Sequence, residues 1–228
     1  MSTIRPEIPP LPRAMQSLPV DKRGYPVPAF VDWINGEPDF RVMSGTHLLR
    51  SITDKVCWVC GQKLFDEMVF VVGPMCGINR ISAEPPSHRQ CAQFSAKACP
   101  FLMRPHMTRR DGDMPEGSGT APGIAITRNP GVTLLWFTRK YEVLRVPRGI
   151  EGVGDGLLFE FGKAFQTEWY KQGRAATRAE ALESIETGLP FLREANELQF
   201  VNDPAGKAAA EALIVQRQHE LERWLPRE

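Results

Sequence analysis

The chain has 228 residues, of which 42% are hydrophobic and 24% are charged, and its formal net charge is +1. These values are typical of a globular protein with one domain or two small ones and a sizeable core. No run approaches the ~18 apolar residues of a membrane-spanning helix, so a membrane partner is not expected. Because no signal peptide is recognisable and the five cysteines are an odd number, a reducing, cytoplasmic location is expected.

Residues 1–28 contain seven prolines. Proline fixes φ and lacks a backbone donor, so this segment is predicted to be an extended arm that is either disordered or lies across the body.

A β-hairpin and a helix are predicted over residues 29–54. Asn35-Gly36 separates the strand-like runs 30–34 and 40–43, and Asn-Gly is a strong hairpin signal. Ser44 is a suitable N-cap for a helix over residues 45–53. The residues expected to face inward from this helix are Leu48, Leu49 and Ile52.

Two pairs of metal-ligand residues stand out in the middle of the chain. Cys57 and Cys60 form a C-x2-C pair, His88 and Cys91 form an H-x2-C pair, and 27 residues separate the pairs. This spacing predicts one tetrahedral zinc site with these four residues as ligands.

The residues around these pairs predict a cysteine turn, a hairpin and a helix. Gly61 permits a positive φ after the turn, and 68–72 reads as a buried strand with a return strand near Ile78 and Ile81. Ser87 is the expected N-cap of a helix that begins at His88. This order resembles a treble-clef zinc module, and residues 55–107 are assigned to it.

Other interpretations of the cysteines remain open. Cys57, Cys60 and Cys91 could be free buried thiols, or Cys57 and Cys60 a disulfide. Cys76 could replace one ligand, whereas Cys99 lies about two helical turns after Cys91 and is expected in the core.

Charge is distributed unevenly along the chain. Residues 76–110 carry six basic side chains against Glu84, whereas residues 177–228 carry ten acidic and six basic ones. A basic zinc module could attract phosphates, which makes DNA or RNA a candidate partner. The side chains expected to contact nucleic acid are Arg80, Arg89, Lys97, Arg109 and Arg110.

A flexible loop and antiparallel strands are predicted after the zinc module. Residues 108–123 are rich in glycine and proline, which is typical of a mobile loop. The strands predicted within 124–176 are 132–137, 141–146, 157–161 and 165–170. A hairpin is expected between the first two, and the glycines of 149–156 indicate another hairpin loop rather than a phosphate-binding loop.

The C-terminal region, residues 177–228, is predicted to be helical. Thr177 and Glu180 form a capping box, Gly188 is expected to end the first helix, and Pro190 to open the next. Asp203 is expected to cap a last helix. The apolar stripe of that helix contains Leu213, Ile214, Leu221 and Trp224. The fold class predicted is α+β, with a treble-clef zinc module, an antiparallel sheet and C-terminal helices.

Several short motifs together resemble a group of uncharacterised bacterial and phage-encoded proteins. They are Cys-Trp-Val-Cys-Gly from Cys57, Ser-His-Arg-Gln-Cys-Ala from Ser87 and Ala-Cys-Pro-Phe-Leu from Ala98. The resemblance implies a phage or prophage setting and no particular activity.

Three functions compete. The first is a zinc-stabilised protein that binds nucleic acid or a nucleic-acid complex, and the second is an accessory factor that binds a protein partner. The third is a zinc-dependent nuclease or other hydrolase, in which Glu84 would be the residue to test. Four protein ligands close a zinc site, and the deaminase and H-E-x-x-H patterns are absent, so a structural zinc is favoured.

Overall fold

The computed structural model describes residues 3–104, 114, 121–124, 126, 129–148 and 154–227. The helices are α1 Gly45–Thr53, α2 Pro74–Asn79, α3 Arg89–Ala98, α4 Pro100–Met103, α5 Arg178–Gln199 and α6 Pro204–Glu222. The strands are β1 Val31–Ile34, β2 Glu37–Met43, β3 Met68–Val72, β4 Ile81–Ser82, β5 Thr133–Thr138, β6 Tyr141–Val146, β7 Gly156–Phe161, β8 Gln166–Lys171 and β9 Arg174–Ala175. The fold is therefore α+β with antiparallel sheets and C-terminal helices, as predicted.

The central sheet has the strand order β3-β5-β8-β9, and all its neighbours are antiparallel. Every residue of β5 is buried because both of its faces are covered. Phe70 and Trp136 face a core formed with α2, α5 and α6, whereas Val69 and Phe137 face the alanines of α3. This two-sided burial explains the nearly unbroken apolar sequence of β5.

A second sheet has the order β4-β7-β6, so the predicted hairpin between β5 and β6 is wrong. Both edges of β5 are already paired, with β3 and with β8, so β6 cannot join it. The chain crosses between sheets through a turn in which the Thr138 hydroxyl donates to the Lys140 carbonyl at 3.1 Å. The expected pairing of β6 with β7 is present.

Residues between the cysteine turn and α3 depart from the predicted hairpin. The stretch expected to return as a strand through Ile78 instead forms α2, in which Pro74 occupies the first turn. The short strand β4 pairs with β7 rather than with β3. At the edge of β3 that does not pair with β5, the expected return strand is reduced to one antiparallel bridge between Val69 and Ser87.

The N-terminal hairpin and helix are confirmed. Asn35 and Gly36 both have positive φ, 51° and 81°, as a two-residue hairpin turn requires. The Ser44 side chain caps α1. The inward position expected for Leu49 is wrong, because Leu49 is 59% exposed. The buried residues of α1 are His47 and, one turn later, Ser51.

The proline-rich segment lies across the body of the protein. It includes a short 3-10 helix, Arg13–Met15, whose Met15 is buried against Cys57, Cys60 and Cys91. The Gln62 side chain donates to the Ala14 carbonyl at 3.1 Å and fixes this contact.

The C-terminal capping box is confirmed, but the helix end predicted at Gly188 is wrong. Helix α5 continues to Gln199 with Pro190 inside it. Gly188 is buried where α5 meets α2, and a Cβ there would lie 3.0 Å from the Met75 side chain, so this glycine permits helix contact rather than ending the helix. Pro190 is exposed, where water can solvate the carbonyl that loses its donor.

In α6, the predicted cap is confirmed because the Asp203 side chain accepts from the Gly206 amide at 2.9 Å. The buried residues at this end of the chain are Ile214, Leu221 and Leu225. The predicted inward position of Leu213 is wrong, since it is 40% exposed.

None of the helices in the described part of the chain has the length and apolar character needed to cross a membrane.

Most of the predicted loop over 108–123 and part of the glycine-rich stretch 149–156 fall outside the described residues. Gly123 and Gly154, which are described, form an antiparallel bridge with an N–O distance of 2.7 Å.

The contact between α2 and β5 gives a test of the packing. A Cβ at Gly77 would lie 2.6 Å from the fully buried Leu134 side chain, so Gly77→Ala should destabilise the protein by about 1–3 kcal/mol through overpacking. Urea unfolding followed by circular dichroism measures the loss.

Gly45→Ala is the matched control, because that glycine is also helical and has nothing within 4 Å of its Cβ position. It should be neutral or stabilise by up to about 1 kcal/mol. Equal stability of the two variants would contradict the close packing of α2 on β5.

Candidate metal centre

The first two ligands lie in a tight turn between α1 and β3. The Cys57 amide donates to the Gln62 carbonyl at 2.7 Å, and the Gly61 amide donates to the Cys57 carbonyl at 2.9 Å. Gly61 has a φ of 72°, a left-handed conformation that glycine adopts without strain. The expected positive φ at this position is confirmed. The turn places the sulfurs of Cys57 and Cys60 close to each other.

The other two ligands lie at the start of α3. His88 is the N-cap of this helix, so the prediction of Ser87 as the cap is wrong by one residue. The physical reason is that Ser87 is held in extended conformation by two hydrogen bonds with Val69, at 2.8 and 2.9 Å. Cys91 lies in the first turn of α3, three residues after His88.

The four predicted ligands come together. The potential ligand atoms of Cys57, Cys60, His88 and Cys91 all lie within 4.8 Å of one another, and Cys60 Sγ is 3.4 Å from His88 Nδ1. Zinc bonds of about 2.3 Å to sulfur and about 2.0 Å to nitrogen place neighbouring tetrahedral ligands roughly 3.6 Å apart. The group is therefore close enough to hold one metal ion.

Hydrogen bonds around the group orient its ligands. His88 Nε2 donates to the Lys63 carbonyl at 2.9 Å, and the ring directs its Nδ1 at Cys60. The His88 amide donates to Cys57 Sγ at 3.4 Å. At metal sites, a hydrogen bond from the ring nitrogen that does not bind the metal fixes the tautomer and the orientation of the histidine ring.

The electrostatics of the cluster also favour a cation. Burial alone raises the pKa of Cys57, but contacts with the other ligands lower it well below its ordinary value. Contacts with Cys57 and Cys60 raise the pKa of Cys91 and raise that of His88 to about 10. The side chains therefore share protons around thiolate sulfur, and a divalent cation can replace those protons.

His47 has a supporting role that the sequence did not reveal. It is only 5% exposed, and its Nε2 donates to the Trp58 carbonyl at 3.0 Å and lies 3.3 Å from the Cys57 carbonyl. Burial lowers its pKa. The neutral ring thus fixes the backbone of the cysteine turn from outside.

The remaining cysteines lie outside the four-residue group. Cys76 packs against the core beside α5 and α6, and Cys99 caps the C-terminal end of α3. Burial raises the pKa of both thiols, and the Glu84 carboxylate adds to the shift. These are the properties of unreactive thiols.

Arg80, one of the predicted nucleic-acid contacts, is engaged inside the protein. Arg80 is only 8% exposed, and one of its guanidinium nitrogens is 2.8 Å from the Glu220 carboxylate. The guanidinium carbon lies 4.4 Å from the ring centroid of Trp136. It contributes no free charge to the surface.

Arg89 is also engaged. It forms a two-pronged ion pair with Glu67, with both distances 2.8 Å, and contacts Glu168 at 3.3 Å and Gln166 at 2.9 Å. These bonds join the start of α3 to the central sheet. Of the other predicted contacts, Lys97 is exposed, whereas Arg109 and Arg110 lie outside the described residues.

Replacement of a ligand should abolish metal binding. Cys91→Ser should reduce the metal content from one ion per chain to nearly none, because the remaining three ligands leave the site incomplete. Elemental analysis of the purified full-length protein identifies and counts the metal.

Cys99→Ser is the matched control, since Cys99 lies at the other end of the same helix and outside the group. It should keep one ion per chain. Full metal content in Cys91→Ser, or its loss in Cys99→Ser, would show that the ligand set is wrong.

Metal binding should depend on pH with a defined sign. Because the pKa of His88 is raised to about 10, a metal must displace its proton throughout the neutral range. The metal affinity should therefore rise about tenfold per pH unit for each proton released between pH ~6.5 and ~9. Competition with a chromophoric chelator at several pH values measures this slope, and an affinity independent of pH would exclude His88 as a ligand.

Comparison with known proteins adds no relative to this picture. The chain matches no protein-family model, and neither the curated proteins nor the solved structures give a significant match. What the centre can do must therefore be derived from its four ligands and their surroundings.

Proposed function

We propose that Cys57, Cys60, His88 and Cys91 hold one zinc ion and that this ion is structural. The observation that carries the proposal is the convergence of three sulfurs and one imidazole nitrogen within 4.8 Å. Soft sulfur ligands with imidazole favour zinc, and four protein ligands leave no coordination position for a reacting water.

We also propose that the module is a variant of the treble clef. Its support is a cysteine turn, a strand and a helix whose first turn supplies the second ligand pair. In this variant the second hairpin strand shrinks to the Val69–Ser87 bridge, and the segment with α2 and β4 is inserted between the strand and the helix.

The zinc-stabilised protein is proposed to bind nucleic acid. The support is the excess of positive charge that the sequence carries around the zinc ligands. Since Arg80 and Arg89 are bound to carboxylates, the contacts must come from other cations of this region. A phage or prophage setting rests on the motif resemblance alone.

This function predicts salt-dependent binding that needs the metal. The zinc-loaded full-length protein should bind labelled single-stranded DNA or RNA, and its affinity should fall steeply between about 50 and 200 mM salt as counterions are released. Chelation should weaken binding and lower the melting temperature. Fluorescence anisotropy and a thermal melt on the same samples measure both.

The Cys99→Ser variant, which keeps the four ligands, serves as the control and should bind like the unmodified protein. Binding that is absent at low salt, or that does not change with salt, would contradict the association with nucleic acid and leave an accessory protein-binding role as the alternative.

A further inference from the structure

One end of the central sheet places exposed aromatic and basic side chains beside the metal centre. At this end β3 begins, β5 ends and β8 begins, because Met68 pairs with Thr138 and Phe137 pairs with Gln166. The residues that directly adjoin these strand ends therefore lie next to one another. Lys63 and Phe65, a few residues before β3, are placed beside the metal centre by their contacts with His88. We call the following six residues the basic–aromatic rim: Lys63, Phe65, Arg139, Lys140, Lys163 and Phe165.

Phe65 is the most exposed large apolar side chain in the described part of the chain, at 80%. Its ring contacts the ring of His88, with centroids 6.1 Å apart and planes tilted by 43°. One side of the phenyl ring is thus placed against a metal ligand while most of its surface is open to solvent. A ring this exposed is available for a base or another planar group to stack on.

Phe165 provides the second ring of the rim. It is 38% exposed and packs edge-on against the buried Phe137, with centroids 6.3 Å apart. The Arg139 guanidinium lies over the Phe165 ring at 5.2 Å from its centroid. A planar cation over an exposed ring presents both charge and a stacking surface.

The charge of the rim is positive. Lys63, Arg139, Lys140 and Lys163 are all exposed, and no described carboxylate forms an ion pair with any of them. Asp66 and Glu142 are nearby carboxylates for which no ion pair is present among the described residues, whereas Glu67 is neutralised by Arg89. Four cations thus outnumber two unpaired carboxylates at this end of the sheet.

The backbone at this end is well fixed. The Gly162 amide donates to the Lys140 carbonyl at 2.9 Å, and the Phe165 amide donates to the Phe137 carbonyl at 3.1 Å. These bonds join the turn after β5 to the turn before β8, so the rim is a surface of defined geometry.

We propose that the basic–aromatic rim is a binding surface for single-stranded nucleic acid. Cations that contact phosphates, interspersed with rings on which bases stack, are the features by which proteins bind single strands without reading sequence. A duplex offers its phosphates but not its base faces, so it would contact the four cations and leave the two rings without a stacking partner. This inference rests on the proposed association with nucleic acid and assigns that association to a place.

The first test removes the stacking ring. Phe65→Ala should bind a labelled oligo(dT) or oligo(U) of about 16 nucleotides at least about fivefold more weakly, and Phe65→Trp should restore the affinity. Leu198→Ala, which removes a side chain that is 61% exposed on α5, is the control and should bind normally. Metal content is measured in each variant because Phe65 contacts His88.

The second test removes charge. Simultaneous replacement of Arg139, Lys140 and Lys163 by alanine should reduce the slope of log affinity against log salt by about 2, at roughly 0.7 per lost phosphate contact with a single strand. The control replaces three exposed basic residues elsewhere and should leave the slope unchanged. These are Arg145, Arg148 and Arg223.

The outcomes separate the two proposals. If the unmodified protein binds no oligonucleotide at low salt, both the function and the rim are wrong. If it binds but the rim variants bind equally well, only the rim is wrong. Equal displacement of the oligonucleotide by a polyglutamate peptide of the same charge, or equal affinity for a duplex, would likewise overturn recognition of single strands at this surface.

Discussion

The concentration of three cysteine sulfurs and one imidazole nitrogen within 4.8 Å is the constraint on which this part of the fold depends. The sulfurs are buried, and a buried thiolate without a cation is costly. Elements far apart in sequence converge there: the cysteine turn, the start of α3, His47 from α1 and Met15 from the proline-rich arm. A metal at this point would cross-link the cysteine turn to the start of α3.

The basic residues of the module show why charge in a sequence does not map directly onto charge at a surface. Arg89 begins α3 one residue after His88, yet its guanidinium pairs with Glu67, which directly precedes β3, and with Glu168 on β8. The cost of burying the Arg80 charge is offset by its ion pair with Glu220, which lies 140 residues later in the chain. By contrast, Arg139, Lys140 and Lys163 lie in turns beside strand ends and stay exposed.

Local patterns predicted much of the fold and the ligand set. Each ligand pair, the Asn35-Gly36 turn and the Thr177 capping box spans only a few residues, so the sequence alone reveals them. The separation of β5 from β6 could not be predicted, because it depends on which sheet edges are already occupied. Likewise, the sequence around Gly188 indicates a helix end. Its actual role depends on the packing of Met75 of α2 against it, which only the structure reveals.

The metal centre and the rim are physically connected through one side chain. His88 presents Nδ1 to the sulfurs, Nε2 to the Lys63 carbonyl and its ring to Phe65. A metal bond at Nδ1 would therefore fix the imidazole plane, the backbone at Lys63 and one face of the exposed phenyl ring together. Since Lys63 and Phe65 both belong to the rim, a zinc ion with no catalytic role would still determine whether the surface beside it keeps the geometry that binding requires.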